Sequence, residues 1–182
     1  MNRLKGSRCY LCGPIDHASD LGQGWRQELT LFLQSLEIVV LDPTNKPKCL
    51  LGHSITEGKE FHKLRAKLKE EKRYDELSRL VRSIRTFDLR LCDICDFCIV
   101  YWNKDIKSCG TLEELFWCNR MKKPILLMCE QGKQNVNDWL FGTINHELMF
   151  SSWQEVKDYL LFVSCSNSNM VNTFNRWLLF DI

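Results

Sequence analysis

Apolar residues along this chain come in short bursts, and longer stretches with helical spacing separate the bursts. Four bursts predict buried β-strands, over residues 8–12, 38–41, 97–102 and 124–129. Four stretches predict helices, over residues 24–36, 57–85, 110–122 and 152–161. Strands that alternate with helices are typical of βαβ units, so the pattern predicts an α/β fold.

The same alternation predicts how the sheet is built. Because helices connect successive strands, we expect a single-domain, doubly wound, mostly parallel sheet of the flavodoxin or Rossmann-like type, flanked by helices. Residues 46–85 are interpreted as a charged helical insertion, whose mixed signs favour a solvated helix face over a nucleic-acid patch. No internal repeat or linker divides the chain, so we expect one domain over 1–182.

The composition is that of an ordinary globular domain, and it narrows the classes of function. The 182 residues are 45% hydrophobic and 26% charged, with 25 Lys and Arg against 23 Asp and Glu, which excludes disorder and collagen-like structure. A net charge of +2 gives no strong field, so we expect a small-molecule substrate rather than nucleic acid or a membrane surface. We also expect a cytoplasmic protein, because no apolar run resembles a signal peptide or approaches the ~20 residues of a membrane span.

Ten cysteines require a choice between packing, disulfides and metal binding. Half of them lie inside apolar runs, where a free cysteine acts as a small hydrophobic residue: Cys9, Cys12, Cys98, Cys118 and Cys129. The spacing Cys92-x-x-Cys95-x-x-Cys98 is similar to that of iron–sulfur ligands. However, Cys98 begins a predicted strand and no further Cys or His follows at a matching interval, so we expect neither a metal nor a cofactor.

Polar residues follow the predicted strands at their carboxyl ends, where open parallel α/β sheets bind ligands. Gly13 and Asp16 follow the first strand, and Asp42 follows the second. Further along, the polar stretch 108–111 stands at the start of a predicted helix. The dinucleotide fingerprint and the P-loop are both absent from the sequence, which argues against nicotinamide chemistry and nucleoside triphosphate hydrolysis.

The start of the helix near Gly110 has two interpretations. Free backbone N–H groups there, together with the hydroxyls of Ser108 and Thr111, form a cradle for a phosphate or a hydroxyl group. Alternatively, Ser108 or Thr111 simply caps the helix, while Glu113 and Glu114 complement its dipole. The local sequence leaves both interpretations open.

Four features of the sequence occur in a particular order and spacing. They are Tyr10-Leu11-Cys12-Gly13-Pro14-Ile15, Asp88 eight residues before Asp96, the strand 97–102, and Ser108-x-Gly110-Thr111-x-x-Glu114-Leu115. This combination resembles the nucleoside 2-deoxyribosyltransferase family, which includes the related deoxynucleoside 5'-monophosphate N-glycosidases. The resemblance extends over nearly the whole chain, although region 46–85 is longer and more charged than in the compact members of the family.

The resemblance implies an enzyme that cleaves the N-glycosidic bond of 2'-deoxynucleosides with retention and passes the sugar to another base or to water. Glu114 matches the family's nucleophile, and Tyr10 matches the tyrosine whose hydroxyl holds that carboxylate. Asp88 matches the aspartate that hydrogen-bonds the base and manages the proton at the leaving nitrogen. These roles agree with the chemistry, because an oxocarbenium-like transition state needs an ionised carboxylate at carbon and a proton donor at the leaving group.

Glu113 competes with its neighbour for the role of nucleophile. Successive residues of a helix point about 100° apart, so we expect only one of the two carboxylates to face the pocket. The spacing from Gly110 and the following Leu115 favour Glu114.

Ser108 is expected to influence which substrate is taken. Nucleoside-using members of the family tend to place an acidic residue here for the 5'-hydroxyl, whereas the nucleotide-hydrolysing relatives resemble this chain in having a serine. A deoxynucleoside 5'-monophosphate N-glycosidase is therefore the alternative function, since a serine beside a helix N-terminus favours a phosphate. Arg26 is expected to add a charge-assisted contact, or else to be a helix-surface arginine without a ligand.

Members of the family assemble with sites completed across an interface, so the resemblance implies a homodimer or higher homo-oligomer with shared active sites. Asn145 or His146 is then expected to reach the site of a neighbouring subunit. The apolar residues 177–180 are interpreted as a short edge strand or an intersubunit contact. A non-catalytic nucleotide-binding sensor is the second alternative, and the presence of all three candidate catalytic residues favours the enzyme.

Overall fold

A computed structural model of the chain describes residues 2–15, 18–46, 59–165 and 176–177. Within these residues the strands are β1 (Arg8–Cys12), β2 (Val39–Leu41), β3 (Phe97–Tyr101), β4 (Ile125–Met128) and β5 (Met149–Phe150). The helices are α1 (Gln23–Ser35), α2 (Lys59–Glu70), α3 (Tyr74–Ile94), α4 (Cys109–Arg120), α5 (Asp138–Phe141) and α6 (Trp153–Cys165). Two 3-10 helices flank α5, at Lys133–Asn135 and His146–Leu148. Among the described residues, no helix has the length and apolar character that a membrane span requires.

The described strands form one sheet in the order β2-β1-β3-β4-β5, and every neighbouring pair is parallel. β1 lies between β2 and β3, so Tyr10 is opposite Leu41 on one side and Cys98 on the other. The strand order changes direction at β1 and β3, which is the switch point where open α/β sheets bind ligands. The predicted α/β class is confirmed, and the described sheet is entirely rather than mostly parallel.

Side chains alternate between two apolar cores, one on each face of the sheet. Tyr10 and Cys12 of β1 point to the core shared with α3 and α4, whereas Cys9 and Leu11 point to the core shared with α1 and α6. The five cysteines expected to pack in the core are all buried and free. Strand β1 thus directs Tyr10 and Cys12 toward the two helices that carry the candidate carboxylates.

The charged region 46–85 is built differently from the single helical stretch expected. Its described part contains two helices, α2 and α3, separated where Lys72 adopts a left-handed conformation with φ of 54°. α3 then continues to Ile94, because its last turns carry an apolar face that packs into the core. A helix that begins on a solvated surface therefore ends inside the molecule and brings Asp88 with it. Residues 47–58 lie outside the described residues.

The last part of the chain contains elements that the apolar pattern did not reveal. β5, α5 and the two 3-10 helices have at most four residues each, too few for a periodic signal. The capping box expected from Ser152-x-x-Glu155 is present in part, because the Glu155 carboxylate accepts from the N–H of Ser151 rather than from that of Ser152. The Glu155 N–H donates to Ser152 Oγ at 3.2 Å, and the Ser151 N–H donates to Glu155 Oε2 at 2.8 Å. Helix α6 extends beyond its predicted end, to Cys165.

Trp177 packs within its own chain, which corrects the expectation of an edge strand or an intersubunit contact at this residue. It is 1% exposed, its ring centroid lies 5.2 Å from that of Phe97, and its Nε1 donates to the Tyr159 hydroxyl at 2.9 Å. The other residues of that apolar tail, 178–180, lie outside the described residues.

Replacing Trp177 with alanine should destabilise the protein by about 3–5 kcal/mol, because removing a buried tryptophan leaves a cavity in the core. Trp139, which is 77% exposed, provides the matched control. Trp139→Ala should change the free energy of unfolding by less than about 0.5 kcal/mol. Urea denaturation followed by circular dichroism measures both, and equal losses in the two variants would contradict the core position of Trp177.

Candidate active site

A pocket of about 420 Å³ opens at the carboxyl ends of β1 and β3. The residues after β1 form one wall, one face of α3 forms the second, and the loop before α4 with the first turns of that helix forms the third. Helix α2 adds Arg65. Six of the residues proposed from the sequence line this pocket: Gly13, Asp88, Ser108, Gly110, Thr111 and Glu114.

Glu114 lies on α4 and meets β1 and α3 at the inner side of the pocket. Burial raises the pKa of this carboxyl to about 8, and the charge of Asp88 acts in the same direction. The nearby Cys12 thiol and Tyr10 hydroxyl partly offset this effect, because donor groups beside a carboxyl favour its ionised form. Without a ligand, Glu114 is therefore mostly protonated at neutral pH, unlike an ordinary surface glutamate.

Tyr10 lies beneath the pocket and is completely buried. Its hydroxyl has no partner that meets normal hydrogen-bond geometry among the described residues. Burial, followed by the charges of Glu114 and Asp88, raises the pKa of Tyr10 well above its usual value. The hydroxyl thus stays protonated and is available as a donor to the nearby Glu114 carboxyl.

Asp88 lies on the buried face of α3, where it is 6% exposed. Its Oδ1 lies 2.8 Å from Nζ of Lys46, a lysine from the loop after β2 that is itself 6% exposed. Sequence analysis assigned no role to Lys46. Only the folded chain brings this loop against α3, so no local pattern could have identified the pair.

Glu113 also lines the pocket, which corrects the expectation that only one of the two adjacent glutamates would do so. The two carboxyls nevertheless have different surroundings. Glu113 is 38% exposed and forms an ion pair with Arg85 of α3, whose guanidinium lowers the pKa of Glu113. Glu114 faces Tyr10 and Cys12 instead. The two carboxyls therefore differ in their partners, and the choice of Glu114 as the nucleophile stays a prediction.

At the start of α4, Ser108 caps the helix, which was the alternative to a cradle for a phosphate or hydroxyl group. Ser108 is the N-cap residue: the Thr111 N–H donates to Ser108 Oγ at 3.3 Å, and the two hydroxyl oxygens lie 2.7 Å apart. Capping does not close the site, since Ser108 and Gly110 still line the pocket. A Cβ added to Gly110 would meet nothing within 4 Å, so the backbone there is open to a ligand.

Gly13 ends β1 at a point where no side chain fits. An added Cβ would lie 2.8 Å from Trp25 Cζ2 and 3.2 Å from Tyr101 Cβ, and the Gly13 carbonyl accepts a hydrogen bond from Arg26 Nη2 at 2.8 Å. Close packing behind Gly13 therefore sets the position of the first wall of the pocket.

The structure places Arg26 and Asp42 behind this wall rather than in the pocket. Arg26 is 0% exposed, and its guanidinium donates to the carbonyls of Leu11, Gly13 and Gly22. Both expectations for Arg26 are therefore wrong. Its guanidinium is buried and not on the helix surface, and its N–H groups are used by backbone carbonyls and not by a substrate. Asp42 Oδ1 lies 3.7 Å from Arg26 Nε and accepts hydrogen bonds from Thr44, and it lines a separate groove.

Two of the predicted binding residues remain, and the one that the structure describes, Asn145, does not line this pocket. Asp16 lies outside the described residues. Asn145 caps the 3-10 helix His146–Leu148 and lines a second pocket, of about 280 Å³, beside Ile125 at the amino end of β4. Because the strands are parallel, that pocket lies at the opposite edge of the sheet from Glu114.

Four cysteines form a cluster, of which the spacing Cys92-x-x-Cys95-x-x-Cys98 indicated only three. Cys118 of α4 contacts Cys92, Cys95 and Cys98, so the fourth thiol comes from a distant part of the chain. Contact with Cys118 and burial raise the pKa of Cys92 and Cys95, which favours the protonated thiols. Among the described residues, no group of three or more His, Cys, Asp or Glu side chains is arranged to hold a metal ion.

The pKa of Glu114 predicts a pH dependence of stability. Because this pKa is about 8 in the folded chain and 4.5 ordinarily, the folded state binds the proton more tightly. The resulting stabilisation is complete below about pH 4.5 and is lost as the pH rises through 8. Each pH unit in that interval removes about 1.4 kcal/mol from the free energy of unfolding. Glu114→Gln should therefore gain stability relative to the unmodified protein between pH 5 and 9.

Urea denaturation at a series of pH values measures this difference. Glu113→Gln is the matched control and should show no such gain, since the Arg85 ion pair lowers the pKa of Glu113. Parallel stability curves for Glu114→Gln and the unmodified protein would contradict the burial of an uncharged Glu114.

Comparison with known proteins gives matches at the level of three-dimensional structure. No family model and no curated protein matches the chain. A 2-deoxyribosyltransferase from Bacillus psychrosaccharolyticus superposes with a TM-score of 0.57 and 17% identity, covering 84% of this chain and 92% of that one. The CMP N-glycosidase BcmB from Clostridium botulinum gives a TM-score of 0.48 and 19% identity, covering 86% of this chain and 99% of that one. The chain therefore has the fold of the Bacillus 2-deoxyribosyltransferase.

Proposed function

We propose that this chain is an enzyme that cleaves the N-glycosidic bond of 2'-deoxynucleosides by a retaining mechanism and passes the sugar to a second base or to water. The observation that carries the proposal is that Glu114 and Asp88 line one pocket and that the buried Tyr10 hydroxyl lies near both of them. These residues come from α4, α3 and β1, and the strand switch point brings them together. The similarity in fold to a 2-deoxyribosyltransferase supports the same class of reaction.

Two displacements at the anomeric carbon account for the reaction. The ionised Glu114 carboxylate attacks C1', the C1'–N bond breaks, and its electron pair goes to the base nitrogen, which takes up a proton. The sugar remains as an ester of Glu114. A nitrogen of another base, or water, then attacks C1', loses a proton and releases the carboxylate. Two inversions give net retention.

The surroundings of the two carboxyls divide the work between them. The buried Tyr10 hydroxyl restricts the rotation of Glu114 before the attack. Asp88 faces the base, accepts its hydrogen bonds and guides the proton to the leaving nitrogen. In the free protein Glu114 holds a proton, which it must lose before it attacks C1'. The same proton can then pass to the nitrogen of the leaving base.

The cations of the pocket favour a second candidate, a deoxynucleoside 5'-monophosphate N-glycosidase. Arg65 and Lys107 line the pocket together with the N-terminus of α4. Arg65 stacks 4.7 Å from the ring centroid of Phe61, and its Nη2 lies 2.9 Å from His62 Nδ1, so its guanidinium is held in place. A phosphate at the start of α4 would meet backbone N–H groups and these cations.

We also propose that the protein is a homodimer or a larger homo-oligomer. Asn145 lies at the opposite edge of the sheet from Glu114, so it contributes to catalysis only if it reaches the pocket of a second copy.

Glu114→Ala should reduce turnover by about 10³-fold or more without unfolding the protein, because no other group replaces the nucleophile. The assay incubates the protein with deoxynucleosides and their 5'-monophosphates, with and without a second free base, and separates released or exchanged bases by chromatography. Glu113→Ala is the matched control and should keep most of the activity. Full activity in Glu114→Ala would overturn the mechanism, and nucleotide binding without any turnover by the unmodified protein would indicate a sensor.

Ser108→Asp should weaken the use of 5'-monophosphates far more than the use of nucleosides, because a carboxylate repels a phosphate. Aspartate caps a helix as well as serine does, so α4 should remain folded. Ser108→Asn, which has the same shape without the charge, is the control and should change the preference little. The ratio of kcat/KM for a nucleotide and its nucleoside measures the effect, and an unchanged ratio in Ser108→Asp would argue against a phosphate at α4.

A further inference from the structure

Lys46 has an unusual position for a lysine. Its side chain is 2% exposed, although lysine is almost never fully buried unless it is paired. Nζ lies 2.8 Å from Oδ1 of Asp88, whose side chain is 8% exposed. The ammonium also lies 5.4 Å from the ring centroid of Phe87, the residue before Asp88 on α3. Lys46 is thus held against one short segment of α3.

Stability alone is a weak explanation for such a pair. Removing two charges from water costs several kcal/mol for each ion, and the attraction between them offsets this cost only when the geometry is good. Apolar residues of similar volume would stabilise the same place at least as well. The informative fact is the location, because Asp88 lines the pocket and Glu114 lies across from it.

The pair makes the two acids of the pocket unequal. Among the described residues, the groups whose charges act on Asp88 include Glu114 of α4, Tyr10 of β1 when ionised, and Lys46 of the loop after β2. Two neighbouring carboxyls in a poorly solvated site share a single proton, since both cannot be ionised without strong repulsion. The ammonium of Lys46 lies 2.8 Å from Asp88 Oδ1, whereas the charge of Arg26 favours the ionised form of Glu114 less than the hydrogen-bonding groups around it do. Of the two acids, Asp88 therefore has the directly paired cation.

We propose that Lys46 is a positioning residue of the active site, which holds Asp88 as an oriented carboxylate and thereby leaves the shared proton on Glu114. The inference rests on the proposed function and adds to it a residue outside the motifs on which the resemblance was based. Asp88 is then ready to accept a hydrogen bond from the base, and Glu114 holds the proton that the leaving base requires. Lys46 itself touches no reacting atom.

A double-mutant cycle with Lys46→Met, Asp88→Asn and the combined variant tests the pairing by stability. Lys46→Met removes the cation that lies 2.8 Å from the buried Asp88 carboxylate, so the unfolding equilibrium constant should rise by a factor on the order of 100 or more. The loss should be larger at pH 8 than at pH 5, because a buried carboxylate that has lost this cation takes up a proton on folding more readily at the lower pH. The combined variant should lose much less than the sum of the single losses.

Kinetics separate a positioning role from a purely structural one. Lys46→Met should lower kcat for base release by about tenfold or more with a smaller change in KM, since Asp88 acts after the substrate is bound. In the Asp88→Asn background the same change should have no further effect on kcat. Lys46→Arg, which keeps the cation, should restore most of the activity, and Lys63→Met, at a lysine whose side chain is 75% exposed, should behave like the unmodified protein.

The outcomes distinguish this inference from the proposed function. Turnover by the unmodified protein together with additive effects of Lys46→Met and Asp88→Asn would overturn the role of Lys46 alone. Coupled stability losses without any turnover of nucleosides or nucleotides would overturn the proposed function and leave the ion pair as a structural contact. Lys46→Gln replaces Lys46→Met in both assays if the methionine variant does not fold, and an unchanged kcat in that variant also overturns the inference.

Discussion

The pairing of β1 with β3 at the centre of the sheet is the constraint on which the rest of the structure depends. Residues 9–12 of β1 and 97–100 of β3 are buried, so their side chains are apolar or, like Tyr10, have a single polar atom. Polar side chains that could act on a ligand therefore occur only beyond the ends of these buried segments. The helices that follow β1 and β3 lie on opposite faces of the sheet. The pocket opens at the carboxyl ends of these two strands, between the residues after β1, one face of α3 and the start of α4.

The chain that leaves β1 is held from behind by a buried cation. A turn inside a protein leaves carbonyl groups that must find donors, and the guanidinium of Arg26 supplies them to Leu11, Gly13 and Gly22. The missing side chain of Gly13 lets Trp25 and Tyr101 pack directly against the backbone. The wall that follows β1 is thus held in place by contacts on the side that faces away from the pocket.

Charge is distributed in the pocket by pairs. Arg85 neutralises Glu113 at the exposed side, and Lys46 neutralises Asp88 at the buried side. Glu114 lies beside the Cys12 thiol and the Tyr10 phenol, and burial raises its pKa. Each of the three carboxyls in this site therefore has a different set of partners.

The elements of the fold that could be predicted are those with a recognisable local pattern of residues. Apolar bursts gave β1 to β4, and Gly110 with Ser108 marked the start of α4, because buried strands and helix caps each have their own residue preferences. β5, with two residues, was too short to detect. The burial of Arg26 and the pairing of Lys46 were missed because they depend on which distant groups the fold brings close. The order and spacing of the motifs led to the proposal of Glu114, Asp88 and Tyr10. Local periodicity alone carries no such information.

The thiols between α3 and α4 have a geometric consequence for the two carboxyls. Cys92 follows Asp88 by four residues and Cys118 follows Glu114 by four, so each thiol lies one helical turn below its acid, and the thiols touch. The distance between packed helices depends on the size of the side chains at their contact. Two small apolar side chains therefore act as a spacer, and the width of the cleft between Glu114 and Asp88 depends on two buried sulfur atoms that lie outside the pocket lining.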